Sequence, residues 1–196
     1  MVIGTIVRSN SHISYMCRVF GKLETESVPT PHHYAFGTFV RLRPTETSST
    51  ELVAVVRDTF LLNPEYGNLG PRLSSDEDLS VFSPDYLNER GVMVDVLVLG
   101  WVDNGRPQHM VPALAAQVGT RVEAMTDDEV CSFHRDGRGR FFMGYLPTLM
   151  TRNDPMIAGL LLSILDRLAP DFPDQQRVIA VLRNNLAWKA RVVPAG

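Results

Sequence analysis

Runs of β-branched and aromatic residues, each closed off by turn chemistry, occupy the chain up to Ala124, and helical patterning takes over from Thr126. A parallel α/β sheet requires strands and helices in alternation, because each crossover helix carries the chain back to the same end of the sheet. Strands first and helices afterwards point instead to a mainly β fold. The expectation is a small closed β-barrel of about six strands, with short helices and a C-terminal α-helical tail.

The individual segments support this order. Val2–Val7 and Ile13–Phe20 flank Ser9-Asn10-Ser11, a turn sequence. In Gly37–Arg43 the alternation is clean, with Thr38, Val40 and Leu42 on one face and Phe39, Arg41 and Arg43 on the other. One face of that strand is expected in the core and the other partly in water. Glu51–Asp58 and Val92–Trp101 are too apolar to be exposed on both faces, and Asp103-Asn104-Gly105 carries the Asn-Gly hairpin signal into Arg106–Val111. Gly119–Ala124 ends the β series. Between Leu61 and Arg90 the pattern is irregular, with an acidic loop at Ser74–Asp78 and a helix start at Ser83-Pro84-Asp85 that predicts a short helix to Arg90. Thr126-Asp127-Asp128-Glu129 is a capping box. Asp154-Pro155 opens a helix to about Leu168, and another runs from Pro173 to about Ala190, with Ile179, Leu182 and Leu186 along one face. The division expected is a barrel domain over 1–146 and a helical tail over 147–196.

Composition narrows the class. The 196 residues are 44% hydrophobic with a formal net charge of −3, which excludes disordered and collagen-like chains and argues against a strongly basic nucleic-acid binder. The N-terminal stretch Met1–Arg8 has no basic n-region, and Met156–Ile164 falls short of the roughly 20 residues a bilayer needs. With only Cys17 and Cys131, unpaired in spacing, the sequence predicts a soluble cytoplasmic protein with reduced thiols and no membrane contact.

The chemistry legible in the sequence is sparse. Lys22 and Lys189 are the only lysines, and Gly21-Lys22-Leu23 lacks the upstream glycine and the hydroxyl residue of a phosphate-binding P-loop. No metal or cofactor site and no catalytic residue are expected. His32-His33 could serve as ligands or a base, but adjacent histidines in an extended segment point to opposite sides, which favours an ordinary loop role. His12 reads as a solvated turn residue. Asp95 lies inside the long apolar strand, where a buried charge needs a partner, and an arginine on a neighbouring strand is the simplest one. The segment His134–Tyr145 concentrates arginines and aromatics. Arg135, Arg138 and Arg140 suit phosphates, and Phe141 and Tyr145 suit bases, so this segment is a candidate nucleic-acid contact; the alternative is a loop followed by a buried strand that anchors the tail. In the tail, Met156–Leu168 is apolar on more than one face. Leu160, Leu161 and Ile164, together with Leu186 and Trp188, are therefore the candidate oligomer or packing surface, the competing explanation being that barrel and tail bury each other.

The order of pieces resembles a known family. Ile3-Gly4-Thr5-Ile6-Val7, then Phe36-Gly37-Thr38-Phe39-Val40, Val53-Ala54-Val55-Val56-Arg57, Val96–Asp103 and Val118–Val122 with the acidic helix after it resemble the HAS barrel. That barrel stands at the N-terminus of HerA-type DNA-translocating ATPases and is related to the crown barrel of rotary ATP synthase subunits. The resemblance covers residues 2 to 146 and stops there, since a helical tail replaces the RecA-like motor. No translocase residue carries over. The resemblance implies a non-catalytic barrel that assembles with itself or docks on a HerA-like ATPase or nuclease in DNA processing. Direct nucleic-acid binding through Arg135–Tyr145 is the alternative function.

Overall fold

The computed structural model describes residues 1–22, 24–44, 49–63 and 91–192, with side chains to residue 188. The acidic loop at Ser74–Asp78 and the helix expected from Pro84 to Arg90 lie outside these residues. Among the described residues, seven strands form one antiparallel sheet: β1 Val2–Ser11, β2 Ser14–Val19, β3 Phe39–Leu42, β4 Thr50–Leu62, β5 Gly91–Asp103, β6 Arg106–Gln108 and β7 Arg121–Ala124. Their order is β2-β1-β7-β3-β4-β5-β6, and a further pairing of β2 with β5 closes the first six into a barrel, leaving β6 outside. The mainly β barrel expected from the sequence is the observed fold.

Closure is made by local devices. Register shifts interrupt β1–β2 between Ile6 and Arg8 and β4–β5 between Val53 and Ala54 and again between Val56 and Asp58. Such bulges raise the twist and bend a strand, which lets one long strand turn a corner of the barrel. The β5–β6 hairpin uses Asn104 at φ 47° and Gly105 at φ 74°, the paired left-handed geometry of a tight turn.

The first turn of the barrel wall rests on Gly4. A β-carbon there would lie 1.9 Å from the Arg18 carbonyl oxygen of β2. Only glycine permits this approach of β1 to β2.

Strand β4 shows why the barrel has a helical coat. Leu52, Val53, Ala54, Val55 and Val56 are all buried, as is every position from Val94 to Leu99 of β5, Asp95 included. One set of side chains fills the barrel, and the other lies under helices. Four helices follow β7: α1 Asp127–Phe133, α2 Leu146–Met150, α3 Met156–Leu168 and α4 Gln176–Val192. The capping box at Thr126 is formed, with its hydroxyl accepting from the Glu129 amide. Asp154 caps α3 by accepting from the Met156 amide at 2.9 Å. Helix α3 packs on β4. Its Leu160, Leu161, Ile164, Leu165 and Leu168 join the core, and α4 packs on α3 through Ile179 and Leu186.

Gly4→Ala is expected to lower stability by about 1–3 kcal/mol, since the new methyl meets backbone that cannot move aside. A urea midpoint within error of the wild type would refute this account of the β1–β2 approach.

Candidate functional site

Three polar centres carry the chemistry of the described residues. Two are buried and belong to the joint between barrel and helices; the third opens to water.

At the first joint, Arg57 of β4 reaches Asp95 of β5 and Asp154 before α3, the latter at 2.6 Å. Ser14 of β2 donates to the other Asp95 oxygen at 3.0 Å. The partner expected for Asp95 from a neighbouring strand is thus Arg57. Burial disfavours the guanidinium charge, but hydrogen bonds to Asp95 and Asp154 and their fields outweigh it and hold the Arg57 pKa above its usual value. The group is a fully bonded bridge across β2, β4, β5 and the start of α3.

The second joint was not legible in the sequence. His134 follows α1 and is fully buried. Its Nδ1 faces the Val130 carbonyl at 2.7 Å and its Nε2 faces the Tyr145 hydroxyl at 2.7 Å. A carbonyl only accepts, so Nδ1 carries the proton and Nε2 accepts from tyrosine. His109, just after β6, accepts at Nδ1 from the Gly144 amide and donates from Nε2 to the Phe133 carbonyl. Its ring stacks on Phe142 with centroids 5.0 Å apart. Burial pushes the His134 pKa down to about 3 and lowers that of His109. A void of about 10 Å³ beside His109 and Tyr145 has room for one water at most. These neutral imidazoles staple α1 and the 135–145 segment together and leave no space for a substrate. No local signal in the sequence marked His134, because its burial comes from the segment up to Tyr145 folding back over it.

The segment Arg135–Tyr145 is largely self-bonded. Asp136 accepts from the amides of Arg138 and Arg140 and pairs with the Arg140 guanidinium at 2.8 Å. Arg135 bonds the Gly139 carbonyl and lies 4.9 Å over the Phe172 ring. Phe141 packs edge-on against Phe172 and its amide donates to Gln175, so it anchors the tail. Tyr145 corrects the expected base contact: it is buried with its hydroxyl bonded to His134, and its ring faces no solvent. Among the described residues only Arg138 of the three arginines has no side-chain partner.

The tail residues divide in the same way. Leu160, Leu161, Ile164 and Leu186 are buried within the chain, which is the competing explanation of their apolar excess, so they offer no surface to a second copy. Trp188 is exposed. His33 accepts from the Thr30 amide and caps a one-turn helix at Pro31–Tyr34, His32 is exposed, and His12 meets the Pro112 carbonyl at 2.8 Å. Both cysteines are free, and burial raises the Cys17 thiol to about 12. No metal-ligating cluster occurs among the described residues.

The open centre lies on the barrel wall. Arg41 and Glu123 are register partners on β3 and β7, joined at 3.0 Å, and Arg41 also holds Glu129. Arg43 pairs with Glu51 at 2.8 Å and approaches Glu123 at 3.5 Å. Beside them, the turn Gln117–Thr120 and Arg121 complete a cleft of about 550 Å³. The strand alternation placed Arg41 and Arg43 on the wetter face; that a distant turn forms the opposite wall was decided by the β3–β7 pairing.

A family model described as Domain of unknown function (DUF8166) matches residues 1–195, through both barrel and tail. The chain belongs to the DUF8166 family. No curated protein matches it.

Arg57→Ala is expected to cost about 3–5 kcal/mol, because it leaves the Asp95 carboxylate buried and unpaired. Asp154→Ala, which leaves Asp95 paired, should cost clearly less by urea denaturation. The histidines set a pH dependence. Their folded pKa values lie below the usual 6.5, so the unfolded chain takes up protons first as pH falls. The His134 contribution is complete above pH 6.5 and is lost as pH falls towards about 3, at up to about 1.4 kcal/mol per pH unit, and the His109 contribution is lost in the same direction. His134→Gln should flatten the dependence of stability on pH between 6 and 4.5; an unchanged slope would show that His134 does not titrate on unfolding.

Proposed function

We propose that this DUF8166 protein is a non-catalytic β-barrel module that assembles with copies of itself and docks on a HerA-like ATPase or nuclease in DNA processing, in the cytoplasm. The outer face of α4 carries this reading. Val178, Val181 and Trp188 are 54%, 59% and 64% exposed, and together with the exposed Asn185 they form a stripe at 3-4-3 spacing. The stripe lies next to the buried face of Ile179, Leu182 and Leu186, so α4 is apolar over a wider arc than α3 covers.

The spacing is palindromic. In an antiparallel pair of α4 helices, Val178 stands opposite the second copy's Trp188 and Val181 opposite its Asn185. One polar residue in such a seam selects register and pairing. The buried polar groups support a structural rather than a reactive barrel, since Asp95, His109, His134 and Tyr145 are each bonded to another group of the chain. The ATPase or nuclease partner follows from the resemblance to the HAS barrel.

Light scattering tests the assembly at concentrations of order 100 μM, because one helix face is small beside the ~1,600 Å² of a standard interface. A mass above the 21.9 kDa of one chain is expected. Val181→Glu and Trp188→Ser should return it to one chain with circular dichroism unchanged, since both sites are exposed. A wild-type mass of one chain, or a larger mass indifferent to Val181→Glu, would overturn self-assembly through α4.

A further inference from the structure

We propose that the segment from Met110 to Val118 docks this chain on an anionic lipid surface, its apolar side chains entering the headgroup region and the arginines around it meeting lipid phosphates. The segment shares no residue with the α4 face. Vesicle binding and solution mass are separate measurements, so the failure of either reading is told from that of the other.

The first observation is that apolar side chains are held outward. Between β6 and β7 the chain runs without helix or strand, and it is pinned at four points. His109 is bonded through both ring nitrogens. The Pro112 carbonyl accepts from His12 at 2.8 Å, the Ala116 amide donates to the Tyr15 hydroxyl at 3.1 Å, and the Gly119 amide donates to the Ile6 carbonyl at 2.8 Å. Met110, Val111, Leu114 and Val118 lie between the pins, and each is half or more exposed. A slack loop would fold such side chains onto the barrel, since burying them is favourable; the pins hold them in water.

The second is charge. None of the 22 acidic residues lies in 1–23 or in 104–122, and the bonds at Ile6, His12 and Tyr15 bring those two stretches together. Arg106 stands on β6 before the segment, Arg121 on β7 after it, and Arg8 on β1 just beyond Ile6. All three are exposed and form no ion pair among the described residues. The carboxylates at either end of 104–122 are engaged elsewhere: Asp103 accepts from Ser49 and Asn104, and Glu123 pairs with Arg41 and Arg43. A chain of net charge −3 thus keeps an uncharged apolar segment bordered by unpaired cations. That combination complements a membrane whose cytoplasmic leaflet presents anionic headgroups over hydrocarbon.

The third is shape. The void that Met110 and Val111 border has room for one water at most, so these side chains project and do not line a peptide groove. A protein partner needs a matching surface, whereas the bilayer interface is fluid and takes projecting side chains as they stand. The expectation of no membrane contact rested on the lack of a spanning segment. No helix among the described residues is long and apolar enough to cross a membrane, and docking on its surface needs none.

The full chain is mixed with extruded vesicles of equal parts phosphatidylglycerol and phosphatidylcholine, or of phosphatidylcholine alone, and bound protein is read by flotation. Saturable binding to the mixed vesicles is expected, half-maximal at lipid of order 1 mM, weaker than the roughly 0.1 mM of a single myristoyl chain. It should weaken by about tenfold or more on phosphatidylcholine alone and fall as salt rises. Leu114→Glu and Val118→Glu should each weaken it by about tenfold or more. Arg121→Gln should weaken it about fivefold, the effect of one cation at an anionic surface. Circular dichroism should be unchanged in all three, because the sites are exposed. Val181→Glu, on α4, should bind vesicles as the wild type does. No binding to the mixed vesicles, equal binding to both compositions, or binding lost in Val181→Glu but kept in Val118→Glu would overturn the proposal. A solution mass that falls in Val118→Glu, without vesicle binding by the wild type, would overturn it in favour of a second copy as the occupant.

Discussion

Strands β4 and β5 lie side by side with consecutive residues buried, from Leu52 to Val56 and from Val94 to Leu99. A strand alternates its side chains between two faces, so consecutive burial requires that both faces of this pair leave water. The barrel interior takes one set. The other set demands an outer layer, and α3, with Leu160, Leu161, Ile164, Leu165 and Leu168 turned inward, supplies it. The tail is thus the second half of the core, and removing it would uncover the outside of the two longest strands.

Polar groups mark where the layers are joined. Arg57 connects Asp95 in the barrel wall with Asp154 at the start of α3, and His134 with Tyr145 ties α1 to the segment leading into α2. At these seams two sheets of apolar side chains would slide without a directional contact. Hydrogen-bonded groups cost desolvation but fix one arrangement. The same logic accounts for Asp136, which closes the arginine-rich turn on itself. What remains outward-facing and apolar includes the α4 stripe around Val181.

Much of the architecture could be read from local pattern. The alternation in Gly37–Arg43, the Asn104-Gly105 turn, the Thr126 capping box and the Asp154-Pro155 helix start each depend on neighbours within a few residues, and each is found in place. The partner for Asp95 was legible as a type, because a charge inside an apolar strand calls for an opposite charge nearby. His109 and His134 were not legible. Nothing near them in sequence distinguishes a buried, neutral histidine from a solvated one; their environment comes from Phe133, Gly144 and Tyr145 folding back over them.

The division follows from range. The amino-acid sequence by itself determined that strands come first and helices last, where the tight turns fall, and that the tail carries more apolar surface than one helix face can hide. These depend on backbone preferences and on periodicity, which act over one or two turns. Tertiary structure decided which copy of that surface is hidden: Leu161 faces the barrel while Trp188 faces water, although both lie in apolar helices. It also set Arg41 beside Glu123 across paired strands, and directed Tyr145 inward to His134. Such neighbours are set by strand register and by helix orientation against the barrel, which are fixed by burial summed over the whole chain.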